Sequence, residues 1–393
     1  MTSPASPSAS ASMTRTRMAA LAAMIASAGA VGTGLSLGLP LLALVLESRG
    51  ISGSWIGINT AVAGIAALAV TPLVTPLAIR IGTLRLLVAA LLTMAVSFLG
   101  FHAAREFWVW FPLRFLFHGA IGVAFVMSEF WISSLAPPER RGLVMGIYAT
   151  VLSLGFAVGP LLLASVGSQG FAPFAIGAAV MASAIGPALM ARGEPPPLHG
   201  SDGRRSVLGF VRAVPAAMLA VLAFGAVESG AMAILPVYGL RLGHSEADAA
   251  LMVTAAALGN VALQVPLGLL ADRVDRPRLL VTCALVGVAG ALALPAASVR
   301  FEALLAVLFV WGGVTAGLYT VGITHLGNRY SGADLAAANA TFVMMYAVGM
   351  MAGPPSIGIG LDAHPPHGAA YVIALLFAAY VGAVAFIGPR RKP

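Results

Sequence analysis

The sequence predicts an all-α membrane protein with twelve transmembrane helices, and three observations carry that prediction. About a dozen apolar stretches, each close to the length that spans a bilayer, take up nearly all of the chain. Hydrophobic residues make up 59% of it and charged residues only 9%, whereas a soluble domain carries about 25% charged residues. The arginines crowd into every second connection between the stretches. A hydrocarbon core about 30 Å thick takes roughly 20 helical residues. Lipid tolerates no unsatisfied backbone, so only helices and closed barrels cross it, and these runs are too long for barrel strands.

Membrane helices are expected near Met18 to Leu46, Ile56 to Ile79, Leu84 to Phe101, Phe107 to Leu135, Val144 to Val166 and Ala172 to Met190. A second set is expected near Ala213 to Tyr238, Leu251 to Leu270, Leu279 to Ala297, Leu304 to Leu326, Leu335 to Ile359 and Ala369 to Ile387. The connections are short except at 192–212, where Pro195, Pro196, Pro197, Gly200, Gly203 and four arginines break the hydrophobic pattern. The expected organisation is therefore a disordered tail (1–17), an amino-terminal six-helix bundle (18–191), a linker (192–212) and a carboxy-terminal six-helix bundle with a short basic tail (213–393).

Charge sets the orientation. Of the 22 Lys and Arg residues, 17 fall on the side of the amino terminus, four (Arg49, Arg105, Arg241 and Arg300) fall on the other, and Arg114 lies within a helix. The positive-inside rule then puts both termini in the cytoplasm, and the net charge of +8 is topological rather than a nucleic-acid footprint. Trp55, Trp108 and Trp110 are expected to form an aromatic belt at the outer interface. A cleavable signal peptide is the rival reading of Arg15, Arg17 and the apolar run after them. That run continues to Leu46, too long for a signal h-region, and its loss would invert the arginine count. The single cysteine, Cys283, permits no internal disulfide and supports no Cys-based metal site.

The two halves look like copies. Gly155-Phe-Ala-Val-Gly159-Pro160 is echoed by Gly349-Met-Met-Ala-Gly353-Pro354 at an offset of 194. Leu77-Ala78-Ile79-Arg80 matches Leu270-Ala271-Asp272-Arg273 at 193, and Leu39-Pro40 matches Leu235-Pro236 at 196. Two parallel six-helix repeats, related by an axis along the membrane normal, form an architecture in which substrate binds at the repeat interface.

The segment Gly268-Leu-Leu-Ala-Asp272-Arg273-Val-Asp275-Arg276 resembles the loop signature of the major facilitator superfamily, with Asp275 in place of its second glycine. Ser128-Glu129-Phe-Trp131 and Pro137-Pro138-Glu139-Arg140-Arg141-Gly142 resemble the little-characterised YcaD-like branch. The resemblance covers residues 18 to 390 and implies the major facilitator fold. It implies further that the Asp272 loop helps hold the outward-facing state, and that Gly155-xxx-Gly159-Pro160 resembles an element associated with proton-coupled exporters. Two departures stand out. The amino-terminal copy of the loop has Thr75 and Ile79 where the signature has Gly and Asp, and helix four has one extra residue between Arg114 and Gly119.

Ionisable groups inside membrane helices are costly and mark functional pathways or fixed pairs. Glu228, flanked by Gly225 and Gly230 in helix seven, is the first candidate for a proton-binding group. Arg114 and His118 stand one turn apart on one face of helix four and are expected to pair with Glu228 when the cavity is closed, unless Arg114 snorkels to the outer interface. Glu129 and His325, separated by 196, are candidates for a proton relay near the cytoplasm, with a structural network of Glu129 and Arg80, Arg140 or Arg141 as the alternative. Asp272 at the inner end of helix eight is expected to meet the start of helix eleven near Asp334 and, with Arg273, Arg276 and Arg80, to latch the cytoplasmic side. Gly155, Gly159, Gly349 and Gly353 permit close helix approach, and Pro160 and Pro354 bend their helices. Asn59, Asn260, Gln264, Thr315, Tyr319, Thr324, Asn339 and Tyr346 are polar groups available to line a substrate route.

The expected function is secondary transport of a small molecule across the cell (inner) membrane by alternating access, coupled to protons, with export favoured over uptake symport or uniport. A non-transporting receptor or sensor on the same scaffold is the alternative of another class. There is no Gly-xxxx-Gly-Lys-Ser/Thr loop and no His-Glu-xx-His, so neither an ATPase nor an enzyme is expected. No metal, cofactor or nucleic-acid partner is expected, and the protein is read as a monomer.

Overall fold

A computed structural model of the chain describes residues 15–137, 140–191, 207–330 and 332–387. Among them are twelve helices long and apolar enough to cross a membrane. They are α1 (Thr16–Ser48), α2 (Gly53–Ile81), α3 (Thr83–Ala103), α4 (Phe107–Leu135), α5 (Leu143–Val166) and α6 (Ala172–Met190), followed by α7 (Pro215–Arg241), α8 (Glu246–Ala271), α9 (Arg276–Ala297), α10 (Phe301–Gly327), α11 (Ala337–Ala363) and α12 (Gly368–Ile387).

Ten expected helices lie within an observed span or coincide with it, and the expected start of α11 at Leu335 precedes its span by two residues, within a helix that runs from Gly332. α8 begins at Glu246, five residues before its first expected position, because Ser245 caps it by accepting from the Asp248 N–H and two acidic residues occupy the first turn. The other exception is α7. Val214 breaks the chain between a short helix, Val207–Ala213, and Pro215, the first residue of α7. The last part of the segment read as linker is thus helical, while its prolines, with the amino-terminal tail through residue 14, Pro138, Glu139 and the basic end from 388, lie outside the described residues.

The repeated glycine motif packs identically in both halves. A Cβ on Gly155 would strike the Gly29 carbonyl and one on Gly159 would strike Ser36 and Leu37, so α5 lies directly on α1. In the second half Gly349 sits against Leu222 and Ala226, and Gly353 against Ala226, so α11 lies on α7 in the same way. Buried Ser36 Oγ donates to the Gly155 carbonyl at 3.1 Å, a cross-helix bond of the kind small interfaces allow.

The halves touch most intimately at the end that holds the few outer arginines, here called the arginine-poor end. There α2 lies on α11, with Gly57 against Pro354 and Gly358 against Gly53. Along Gly53–Gly64 most of α2 is buried, whereas Ile65, Leu73, Leu77 and Ile79 further along are exposed. The close contact between α2 and α11 thus lies at the arginine-poor end. One tryptophan departs from the expected belt. Trp55 and Trp108 are exposed and contact each other edge to face, but Trp110 is fully buried, with Nε1 donating to the Ala104 carbonyl and Arg49 lying 5.0 Å over its ring.

Candidate functional site: a polar cleft between two halves

At the arginine-poor end the halves are joined by charge. Arg241 at the end of α7 reaches Glu47 at the end of α1, with Nε 3.0 Å and Nη2 3.4 Å from the two carboxylate oxygens. Its Nη1 lies 3.0 Å from Asp362 Oδ1 in α11. Asp362 in turn accepts from the Gly53 N–H at 3.0 Å, the Ser54 N–H at 2.7 Å and Ser54 Oγ at 2.6 Å. A carboxylate from one half thereby caps the first turn of α2 in the other, where orphan N–H groups and the helix dipole favour an anion. Beside this clasp Glu246 of α8 accepts from the Ser168 N–H at 2.9 Å and from Gln169 at 3.0 Å in the loop after α5.

Glu47, Asp362 and Glu246 were not among the candidates, although one signal was legible. Glu47 and Arg241 carry opposite charges at the repeat offset of 194, and equivalent residues beside a pseudo-twofold axis face each other.

Each half also holds a carboxyl bonded by a tyrosine of the same half. In the second half Glu228 of α7 accepts a 2.6 Å hydrogen bond from the Tyr346 hydroxyl of α11. In the first half Glu129 of α4 accepts one of 3.1 Å from Tyr148 of α5. Tyr319 of α10 stands within electrostatic reach of both carboxyls. Its ring packs edge to face on Phe342 at 5.3 Å and on Tyr346 at 6.1 Å, with Phe224 6.0 Å away. A cavity of about 40 Å³ beside Glu228 is lined by Phe224, Asn260, Trp311 and Thr315 among others. It has room for a few water molecules. Gln264 lies half-buried one turn beyond Asn260, outside the cavity lining.

The side chains expected to pair have other partners in this geometry. Glu228 bonds to Tyr346, while Arg114 donates from Nε to Asn59 Oδ1 at 2.7 Å and forms no ion pair with a described carboxylate. Arg114 is 1% exposed, so it does not snorkel either. Glu129 is bonded by Tyr148, while His325 lies among Arg276, Arg329 and Asp275. Arg80 and Arg140 are exposed rather than joined to Glu129.

Arg114 and His118 occupy their own buried cluster in the first half. His118 Nδ1 lies 3.2 Å from the Arg114 carbonyl, and the guanidinium sits 6.0 Å over the Phe101 ring. Both Arg114 amino groups, Asn59 Nδ2 and His118 Nε2 are buried without a hydrogen-bond partner among the described residues.

At the arginine-rich end the carboxylate of Asp272, largely exposed, lies 3.6 Å from Arg276 one turn on. Arg276 abuts the amide of Asn328 within the same half, and Arg273 is exposed.

The profile of the Major Facilitator Superfamily matches residues 21–252 and 217–393. The chain is 26% identical to the uncharacterized MFS-type transporter YfkF of Bacillus subtilis, across 81% of this chain and 83% of that one. It is 23% identical to the MFS-type transporter YcaD of Escherichia fergusonii, across 70% and 71%. Its fold superposes on the nucleoside transporter NupG with a TM-score of 0.75 at 14% identity, covering 95% and 98% of the two chains. It superposes on a bacterial homologue of the human lysosomal transporter Spinster, in an inward-facing and occupied conformation, with a TM-score of 0.70 at 14% identity, covering 94% of each.

Proposed function

The chain belongs to the Major Facilitator Superfamily and is a multi-pass membrane transporter of that type, and on that footing we propose that it exports a small molecule from the cytoplasm in exchange for protons. Both termini and the arginine-rich end face the cytoplasm in this reading, so the cleft is open inward. The observation that carries proton coupling is the carboxyl of Glu228, held by Tyr346 beside a cavity within the second half that is large enough for water. A proton arriving there neutralises the one acidic group that α7 contributes to the cleft, and releasing it restores a charge whose desolvation resists closure. Glu129, Tyr148 and Tyr319 supply a second carboxyl and the hydroxyls facing it. Export is supported by the Gly-xxx-Gly-Pro element of α5, which packs on α1 as its copy in α11 packs on α7.

The test is proton movement in proteoliposomes that enclose a pH dye, with candidate small molecules added to one side and a pH gradient imposed in each direction. Exchange predicts that substrate and protons move oppositely and that Glu228→Gln uncouples them. Parallel movement would establish uptake symport, pH-independent flux would remove the proton from the mechanism, and binding without flux would make the protein a receptor.

A further inference from the structure

We propose that Arg114, with Asn59 and His118, is the binding site for an oxyanion on the transported molecule, a carboxylate or a phosphate. The inference rests on the carrier reading above and adds the chemical class of substrate. Arg114 is fixed by one bond, Nε to Asn59 Oδ1, which leaves the two amino groups of its fork pointing away from that partner. Those groups and Asn59 Nδ2 are donors only, and among the described residues none has an acceptor. His118 Nδ1 lies against a backbone carbonyl and therefore carries a hydrogen, so Nε2 accepts while the ring is neutral and donates once it is protonated. The cluster is thus one permanent positive charge and three unpartnered donor nitrogens under lipid-like burial. A buried charge of that kind is strongly disfavoured unless something pairs with it, and a guanidinium fork matches the two oxygens of a carboxylate or phosphate.

Its position fits a ligand that enters through the cleft. Arg114, His118, Gly122, Phe125 and Glu129 recur at steps of three and four along α4 and so form one stripe on its surface. Glu129, at one end, faces Tyr319 of the other half. Gly122, in the middle, has open space where its Cβ would be. His118, with its unpartnered Nε2, lies one turn further along the helix, and Arg114 a turn beyond that. The stripe thus carries Glu129 at one end and the cationic cluster at the other. The second half carries nothing of the kind, since the repeat places Val310 and Val314 where α4 has Arg114 and His118.

The experiment measures the melting temperature of the purified full chain with acetate, benzoate or inorganic phosphate, and with acetamide, benzamide and benzylamine as uncharged and cationic counterparts. The proposal expects at least one oxyanion to raise the melting temperature by several degrees while its counterparts do not. The carboxylate and phosphate arms tell which oxyanion is preferred. Arg114→Gln should abolish the rise, and Arg114→Lys, which keeps the charge but loses the fork, should weaken the apparent affinity by about tenfold. Equal stabilisation by benzamide, an undiminished response in either variant, or no response to any oxyanion would overturn it. Should Arg114→Gln fail to fold, the Lys variant decides alone. Proton-coupled flux that survives without an oxyanion response sinks this site and leaves the carrier reading intact. An oxyanion response without flux does the reverse.

Discussion

The two halves of the molecule share a backbone plan but not a charge plan. Glycines 155 and 159 press α5 onto α1 just as Gly349 and Gly353 press α11 onto α7, yet the ionisable residues differ in kind even where the repeat matches them. The Glu228 and Tyr346 pair corresponds at the repeat offsets to Gly32 and Leu152, whereas Glu129 and Tyr148 correspond to His325 and Phe342. Packing is needed twice, once in each bundle, so its residues are duplicated. A charge in a shared cleft is needed once, so each half supplies a different one: a basic cluster at Arg114 in the first, an acidic group at Glu228 in the second.

The comparison breaks most sharply at Glu228. Glu228→Gln should reduce proton-driven flux on the order of a hundredfold, the scale of removing a working proton donor and acceptor, whereas Glu129→Gln should reduce it less. Flux under an imposed pH gradient measures both, and an equal loss would make the halves functionally alike after all. The duplicated packing should instead fail symmetrically. Gly159→Leu and Gly353→Leu each force a side chain into the neighbouring helix and should each destabilise by about 3 kcal/mol or more, read as matched falls in melting temperature. A fall in only one half would show that the repeats pack with unequal tolerance.

Smaller effects sharpen the picture at the clasp. The Arg241 and Glu47 side chains are 21% and 20% exposed, and each ion pair of this kind is worth about 1 kcal/mol or less. Arg241→Ala should therefore raise the labelling of a cysteine placed at Ser54 by several-fold rather than open the arginine-poor end outright. Exchanging the charges, Glu47→Arg with Arg241→Glu, should restore part of the protection; failure to do so would make Asp362 the dominant partner. Smallest of all, Tyr148→Phe and Tyr346→Phe each remove one hydroxyl bond worth about 1 kcal/mol. The Tyr346 variant should shift the pH dependence of flux further than the Tyr148 variant does.

Most of the fold was legible because lipid imposes a simple rule. Length, apolarity and arginine placement located the helices, and three matching segments disclosed the repeat. What bent the expectations was local chemistry that hydropathy does not register. Ser245 and two acidic residues started α8 early, Val214 interrupted the approach to α7, and Trp110 turned inward to bond a backbone carbonyl. The site was legible by type but not by pairing. Glu228, Arg114, His118, Glu129, Tyr319, Asn260, Asn59 and Tyr346 stood out as polar groups in apolar runs, but which of them meet depends on the rotation of each helix. Spacing along one chain fixes neighbours on a helix face, such as Arg114 and His118, and leaves partners on other helices undetermined. Tyr148 escaped attention because a single tyrosine near a helix end is unremarkable until its carboxyl partner is known.

The clasp also bears on symmetry. In a dimer of identical six-helix units, any residue beside the twofold axis confronts its own duplicate, and two glutamates or two arginines there would repel. Attraction between Glu47 and Arg241 is available only to two units that differ in sequence, so this fastening is one that identical copies of either half could not make.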